Sequence, residues 1–201
     1  MKRKILKDTL SLVLITLCAV LCLSVVFEIT KEPIAAAAEQ EKQDSYRAVF
    51  DTAASFEAVA AEKWADPAEA VCTVSEALYA LDEKGEKLGC VLSVTSPNGY
   101  GGDVTLSIGI AADGTITGVK VTAMNETVGL GAKCTDESWV SQFKGMCAPV
   151  IRYTKSGKTA PDEIDAISSA TRTTKAVTEA VNYALSRASA VFGYGALVKT
   201  N

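Results

Sequence analysis

The chain has no histidine among its 201 residues. That single absence removes Ser-His-Asp triads, histidine-ligated zinc and histidine general bases. Unless a carboxylate, lysine or cysteine carries the chemistry, any redox or group-transfer role has to be lent by a cofactor. The six cysteines follow no zinc-ligand spacing. There is no basic stripe either. Once the four basic and one acidic residues of the first 27 are set aside, residues 28–201 carry 16 basic and 23 acidic side chains. An acidic body of this kind is a poor partner for phosphate backbones, which excludes nucleic acid as a ligand class. Internal repeats are absent, and the only biased tract is an Ala/Glu-rich stretch after the first apolar run.

What the chain does have begins with that run. Leu10 to Phe27 is 18 residues without a charge, about 27 Å as an α-helix and close to one hydrocarbon core. A cleaved signal peptide is the rival reading, favoured by the small residues Ala35 to Ala38, but its apolar centre should span only about 7 to 15 residues. Lys2, Arg3, Lys4 and Lys7 precede the run, and Glu28 and Glu32 follow it. This asymmetry predicts a cytoplasmic N-terminus and a body on the far side of the membrane. Cys18 and Cys22 lie inside the span on one helical face and read as small packing residues. No lipobox follows the run. Cys72, Cys90, Cys134 and Cys147 fall in the outer body, where an oxidising compartment would allow three disulfide pairings.

Length allows one domain plus an appended segment. Residues 31 to 47 are rich in Ala, Glu, Gln and Lys. Val49, Ala53, Phe56, Ala60 and Trp64 then recur at helical spacing, which predicts a stalk passing into an amphipathic helix that ends at Asp66-Pro67. Short β-prone runs follow: Val74 to Leu81, Leu88 to Thr95, Val104 to Ile110 and Ile116 to Thr122, separated by turn residues. Asp113-Gly114 between two alternating runs is a strong hairpin signal. A helix near Glu137 to Phe143 and a short strand near Val150 to Tyr153 come next. After Thr173, the positions Val177, Val181, Ala184, Leu185 and Ala188 predict a helix docking one face. The expected fold is α+β: an N-terminal transmembrane helix, then one extracytoplasmic domain with an antiparallel sheet and packed helices.

The stretch Asp165-Ala166-Ile167-Ser168-Ser169-Ala170-Thr171-Arg172-Thr173-Thr174 places five hydroxyl side chains just before that last helix. Such residues cap helices by satisfying exposed N–H groups. The same helix start, with free amides and the positive end of the dipole, is also a seat for a phosphate. Asp165, Ser168, Ala170, Thr171 and Thr173 resemble the Asp-x-x-Ser-Gly-Ala-Thr-x-Ser/Thr pattern of covalent FMN-binding domains. Those domains occur in the G subunit of the Rnf ion-translocating electron-transport complex and in the C subunit of the sodium-pumping NADH:quinone reductase. Asn98 to Gly102 and Glu126 to Gly131 resemble two further blocks of the Rnf protein, Gly-Tyr-x-Gly and Glu-Thr-Pro-Gly-Leu-Gly. Trp139 and Phe143 sit where that family has an aromatic pair. Two departures stand out, Ser169 for the usual glycine and Val128 for the usual proline.

The resemblance runs from about Gly89 to Ala188 and implies an electron-carrier subunit of a ferredoxin:NAD oxidoreductase complex. It implies FMN joined by a phosphoester to Thr171. Ser168, Ser169, Ala170, Thr173, Asp165, Glu126, Thr127, Gly129, Leu130 and Gly131 would bind the cofactor. Glycines 99, 101 and 102 read as turn-forming. Glu126 would either orient the Gly-Leu-Gly loop through its amides or lie solvated, and Arg172 would face either the phosphate or water. Threonine is a weak nucleophile with no histidine beside it, so a separate flavin transferase is implied, with Asp165 and the hydroxyl run as its recognition sequence. The implied partners are the other membrane and iron–sulfur subunits, and no independent substrate turnover is expected. The expected segments are a cytoplasmic N-terminus (1–9), the membrane span (10–27), stalk and amphipathic helix (28–66) and the FMN-binding domain (67–201). Two alternatives share the stalk and hairpins: a standalone membrane-anchored flavoprotein electron carrier, and an anchored binding module without cofactor.

Overall fold

The computed structural model describes residues 2–192. Residues 193–201, which the sequence assigns to the domain, lie outside the described residues, as do the side chains of Lys2, Arg3 and Lys4. The chain divides after Gln43 into two compact units. The first is helical throughout. Helix α1 (Lys2–Val49) runs through the apolar segment and on past Pro33. It is the one helix among the described residues long and apolar enough to cross a membrane, and none of its most apolar window is buried. Leu10, Leu14, Leu21 and Phe27 are exposed in the isolated chain, as a helix surrounded by lipid requires.

The second unit is built on a five-stranded antiparallel meander. Its strands are β1 (Ser55–Ala58), β2 (Thr73–Leu81), β3 (Lys87–Ser96), β4 (Val104–Ala111) and β5 (Ile116–Met124), in the spatial order β1-β2-β3-β4-β5. The alternation seen in the sequence becomes the two faces of the sheet. On β3, Cys90, Leu92 and Val94 enter one apolar cluster, while Val91 enters the other. The predicted hairpin is present: Gly114 takes φ 86° and donates to Ala111 O, and Asp113 Oδ1 accepts Thr115 N at 2.9 Å.

After β5 come a short helix α2 (Glu137–Val140) and a single 3-10 turn, Ser141–Phe143. Two three-residue strands follow, β6 (Arg152–Thr154) and β7 (Glu163–Asp165), paired parallel. Helix α3 (Thr171–Phe192) ends the described chain. Val177, Ala180, Val181, Ala184 and Ala188 of α3 are buried in the same cluster as Leu92, Leu106 and Ile108. Small alanines on the docking stripe let the helix backbone lie close to the sheet.

The opposite face receives the end of α1. Tyr46, Val49 and Phe50 pack on Leu78, Ala80 and Val91. Thr117 Oγ1 donates to Val49 O at 2.5 Å, taking up a helix-end carbonyl that lacks an intrahelical partner. Gly118 makes the approach possible, because a Cβ there would stand 2.9 Å from Val49 Cα.

The helix expected over residues 49–64 is absent, and those positions serve three elements. Val49 closes α1, Phe56 lies in β1 opposite Ala80, and Trp64 follows a 3-10 turn with its indole N–H on Val59 O. Tyr46 and Phe56 meet at a ring separation of 5.9 Å. The apolar spacing therefore reflects packing between elements rather than one helical stripe. Asp66 is a junction as well as a boundary: its carboxylate accepts Val74 N at 2.9 Å and Tyr183 OH at 2.5 Å. All six cysteines are free thiols, so none of the three disulfide pairings is formed.

Candidate functional site

The site is organised around Glu126, which follows β5 and is only 9 % exposed. Its Oε1 accepts the main-chain N–H of Tyr100 at 2.8 Å and of Gly101 at 3.3 Å. Its Oε2 accepts Thr173 Oγ1–H at 2.8 Å. One carboxylate thus ties together three segments far apart in sequence, as a buried charge must be tied by donors. Two glycines leave room for it. A Cβ on Gly99 would stand 2.6 Å from Glu126 Oε1, and one on Gly131 would overlap Oε2 and reach within 2.6 Å of Thr173 Oγ1. The sequence expectation needs correcting here. Glu126 does hold main-chain amides, but those of the 99–101 turn rather than those of the Gly129-Leu130-Gly131 loop.

Helix α3 starts at Thr171, three residues earlier than the periodicity indicated, so Thr171 stands in its first turn. The first intrahelical bond, Thr174 N to Ala170 O, measures 3.0 Å. Ala170 therefore occupies the capping position, and alanine has no side-chain acceptor for the first-turn amides. The hydroxyl that shapes this junction belongs to Thr174. It accepts Ile167 N at 3.0 Å and donates to Ala170 O at 3.1 Å. Between these anchors, Ile167 to Ala170 form a turn closed by Ala170 N to Ile167 O at 3.1 Å. Ser169 occupies its third position with φ 62°. A turn with positive φ there favours glycine, which is the physical reason for the glycine usual at this place in the resembling family.

These parts enclose a cavity of about 380 Å³ lined by Tyr100, Glu126, Thr127, Leu130, Gly131 and residues 169 to 173. Of the residues marked in the sequence, Glu126, Thr127, Leu130, Gly131, Ser169, Ala170, Thr171 and Thr173 therefore come together. Ser168 is exposed and does not line the cavity, nor does Gly129, whose φ of 80° bends the loop. Asp165 also stands apart. Its carboxylate accepts Lys158 N at 2.6 Å, and its carbonyl accepts the Trp139 indole N–H at 2.7 Å. Trp139 and Phe143 form a buried edge-to-face pair at 5.7 Å. They support β7 and with it the approach to the turn.

Sequence reasoning left Tyr100 out of the site and left Arg172 open between the phosphate and water. The Gly-Tyr-x-Gly block was the signal for Tyr100, which is 69 % exposed and lines the cavity with Leu130. Arg172 lines the cavity and donates to Asn98 O at 3.4 Å. The Cys134 thiol lies 3.6 Å from Met124 Sδ. Burial first, and the Glu126 carboxylate second, push this thiol up to about 11.

An FMN group fits the donor set. Uncapped first-turn amides and a nearby guanidinium suit a phosphodiester. The Thr171 hydroxyl, partly exposed at the same cavity, is an acceptor for a covalent link, and Tyr100 and Leu130 offer apolar surface to a flat ring.

Fold and site together have the features of an FMN-binding domain, and the model of that domain matches residues 99–186. The RnfG N-terminal region matches residues 1–49, and the similarity runs to the G subunits of Rnf complexes. The G subunit of the Na(+)-translocating ferredoxin:NAD(+) oxidoreductase complex of Acetobacterium woodii is 39 % identical over 110 residues, covering 54 % of this chain and 53 % of that protein. The G subunit of the proton-translocating complex of Clostridium ljungdahlii is 32 % identical, covering 55 % and 60 %. The chain thus spans little more than half the length of these two relatives. The G subunit of the ion-translocating oxidoreductase complex of Methanosarcina acetivorans is 28 % identical over 95 % of this chain and 98 % of its own. The crystal structure of Shewanella oneidensis NqrC superposes with a TM-score of 0.51 at 22 % identity, covering 68 % of this chain and 70 % of that one, and shows the shared fold.

Proposed function

We propose that this chain is the electron-carrier subunit of a membrane-bound, ion-translocating ferredoxin:NAD oxidoreductase complex, with FMN held covalently by a phosphoester to Thr171. The observation that carries the reading is the position of Thr171 in the first turn of α3, at a cavity whose other walls are the two blocks tied to Glu126. When bound, the flavin supplies one- and two-electron redox chemistry. The chain's own residues supply the seat. The α3 amides and Arg172 balance the phosphodiester charge, and Tyr100 and Leu130 border the ring. Glu126 holds the walls together.

Loading takes place in a separate step. Thr171 Oγ bonds to the flavin-side phosphorus of FAD as the pyrophosphate bond breaks. AMP leaves with the bridging oxygen, and the hydroxyl proton passes to a base on a magnesium-dependent flavin transferase. The other partners are the membrane and iron–sulfur subunits of the complex. In this reading residues 10–27 cross the membrane with the N-terminus in the cytoplasm, and the domain lies outside, where a covalent link prevents loss of a cofactor that could not readily be replaced.

The test is intact mass and in-gel flavin fluorescence of the full chain co-expressed with a flavin transferase, beside Thr171→Val. Wild type is expected to gain one FMN-sized increment and to fluoresce after denaturation, and the variant to do neither. An unmodified wild type, or a variant that keeps the increment, overturns the assignment and favours a cofactor-free binding module.

A further inference from the structure

We infer that Glu126 is the positioning residue for flavin attachment: through its bond to Thr173 it fixes the first turn of α3 and so presents the Thr171 hydroxyl to the transferase. The inference rests on attachment at Thr171. Three features of the geometry lead to it.

Glu126 is buried but is spent on no other charge. Its three bonds go to two main-chain amides of the 99–101 turn and to one hydroxyl. Glycines 99 and 131 lie so close to the carboxylate that a Cβ on either would run into it. Thr173, 1 % exposed, differs from the other buried hydroxyls of α3. Thr174 and Thr178 donate back to their own helix, to Ala170 O and Thr174 O. Thr173 instead reaches out of the helix to another element. Two residues apart on a helix means roughly 200° about its axis, so Thr173 is tethered well round the axis from Thr171, although both border the cavity at the helix start. Holding one point of a first turn sets where the rest of it stands. The turn that precedes the helix is held separately by Thr174, so the Glu126–Thr173 bond is not needed to form the helix. Its remaining effect is on orientation.

The experiment measures covalent labelling of the full-length protein in detergent by a flavin transferase with FAD and magnesium. In-gel fluorescence is followed in time, and acceptor concentration is varied to separate kcat from KM. Thr173→Val keeps the β-branched shape and removes only the hydroxyl; Thr173→Ser keeps the hydroxyl. Thr173→Ala also removes the hydroxyl and leaves Glu126 with its two amide bonds. Thr173→Val and Thr173→Ala are expected to lower kcat about ten- to a hundredfold, the range that small misplacements of a reacting group produce, with acceptor KM little changed. Thr173→Ser is expected to stay within about twofold, because the hydroxyl that meets the carboxylate is retained.

A folded Thr173→Val that labels at the wild-type kcat overturns the inference. If Thr173→Val does not fold, a wild-type kcat for Thr173→Ala overturns it instead. Failure of wild type to label at all refutes the Thr171 attachment itself, and this is distinguishable because it precedes any comparison of variants.

Discussion

Ser169 is the one non-glycine residue with positive φ among those described, at 62°. An L-residue pays roughly 1–2 kcal/mol for that conformation. The turn is nevertheless held, by Ala170 N on Ile167 O and by the two bonds of Thr174. Ser169→Gly would relieve the strain but widen the unfolded ensemble, so the expected net gain is about 0.5–1 kcal/mol. It should read as a higher urea midpoint for the full-length protein in detergent. A lower midpoint would mean that the serine side chain contributes more than its backbone costs. The departure from the family glycine was legible in the sequence, and its consequence was not, because it depends on the turn position that this residue takes. The same holds for Glu126. Its block was recognisable, but its partners lie 25 to 47 residues away, and only the fold brings them together.

At the level of elements, the four long strands were legible because one face of each is buried and the other differs, which writes a period of two into the sequence. The short strand expected near Val150 to Tyr153 is present as β6, Arg152–Thr154, whereas its parallel partner β7 has three residues, too short for any period to show. Helix α3 was legible along its apolar stripe, while its first three residues, Thr171 to Thr173, were hidden because threonines at a helix start read as loop. Residues 49–64 were misread because tertiary contacts produced helical spacing across three elements. The contact of the α1 end with the sheet gives a direct test of that revised picture. A Cβ on Gly109 would overlap Val49 O and Thr117 Oγ1, the pair that closes the helix. Gly109→Ala is therefore expected to lower stability by about 1–3 kcal/mol, the usual cost of overpacking, seen as a lower unfolding midpoint. An unchanged midpoint would show that residues 44–50 do not rest on this face of the sheet.

For the whole molecule the open quantity is orientation, and the chain carries its own reporter. Cys72, Cys90 and Cys134 are buried. Burial raises all three thiols, Cys90 to about 12 and Cys134 to about 11. The thiolate is the nucleophile, so these three are inert toward maleimides at neutral pH while the domain is folded. Cys18 and Cys22 lie within the uncharged run of α1, where a charged reagent does not enter hydrocarbon. Cys147 is exposed, with a single weak contact to Asp113 O at 3.8 Å, which leaves one reactive thiol per chain. A membrane-impermeant maleimide added to intact spheroplasts expressing the protein should label the wild type once and Cys147→Ser not at all. Labelling that appears only after the membrane is broken would place the domain in the cytoplasm. The basic cluster before the span would then have failed to set the topology, and a covalent cofactor could no longer be explained by a compartment that cannot resupply it.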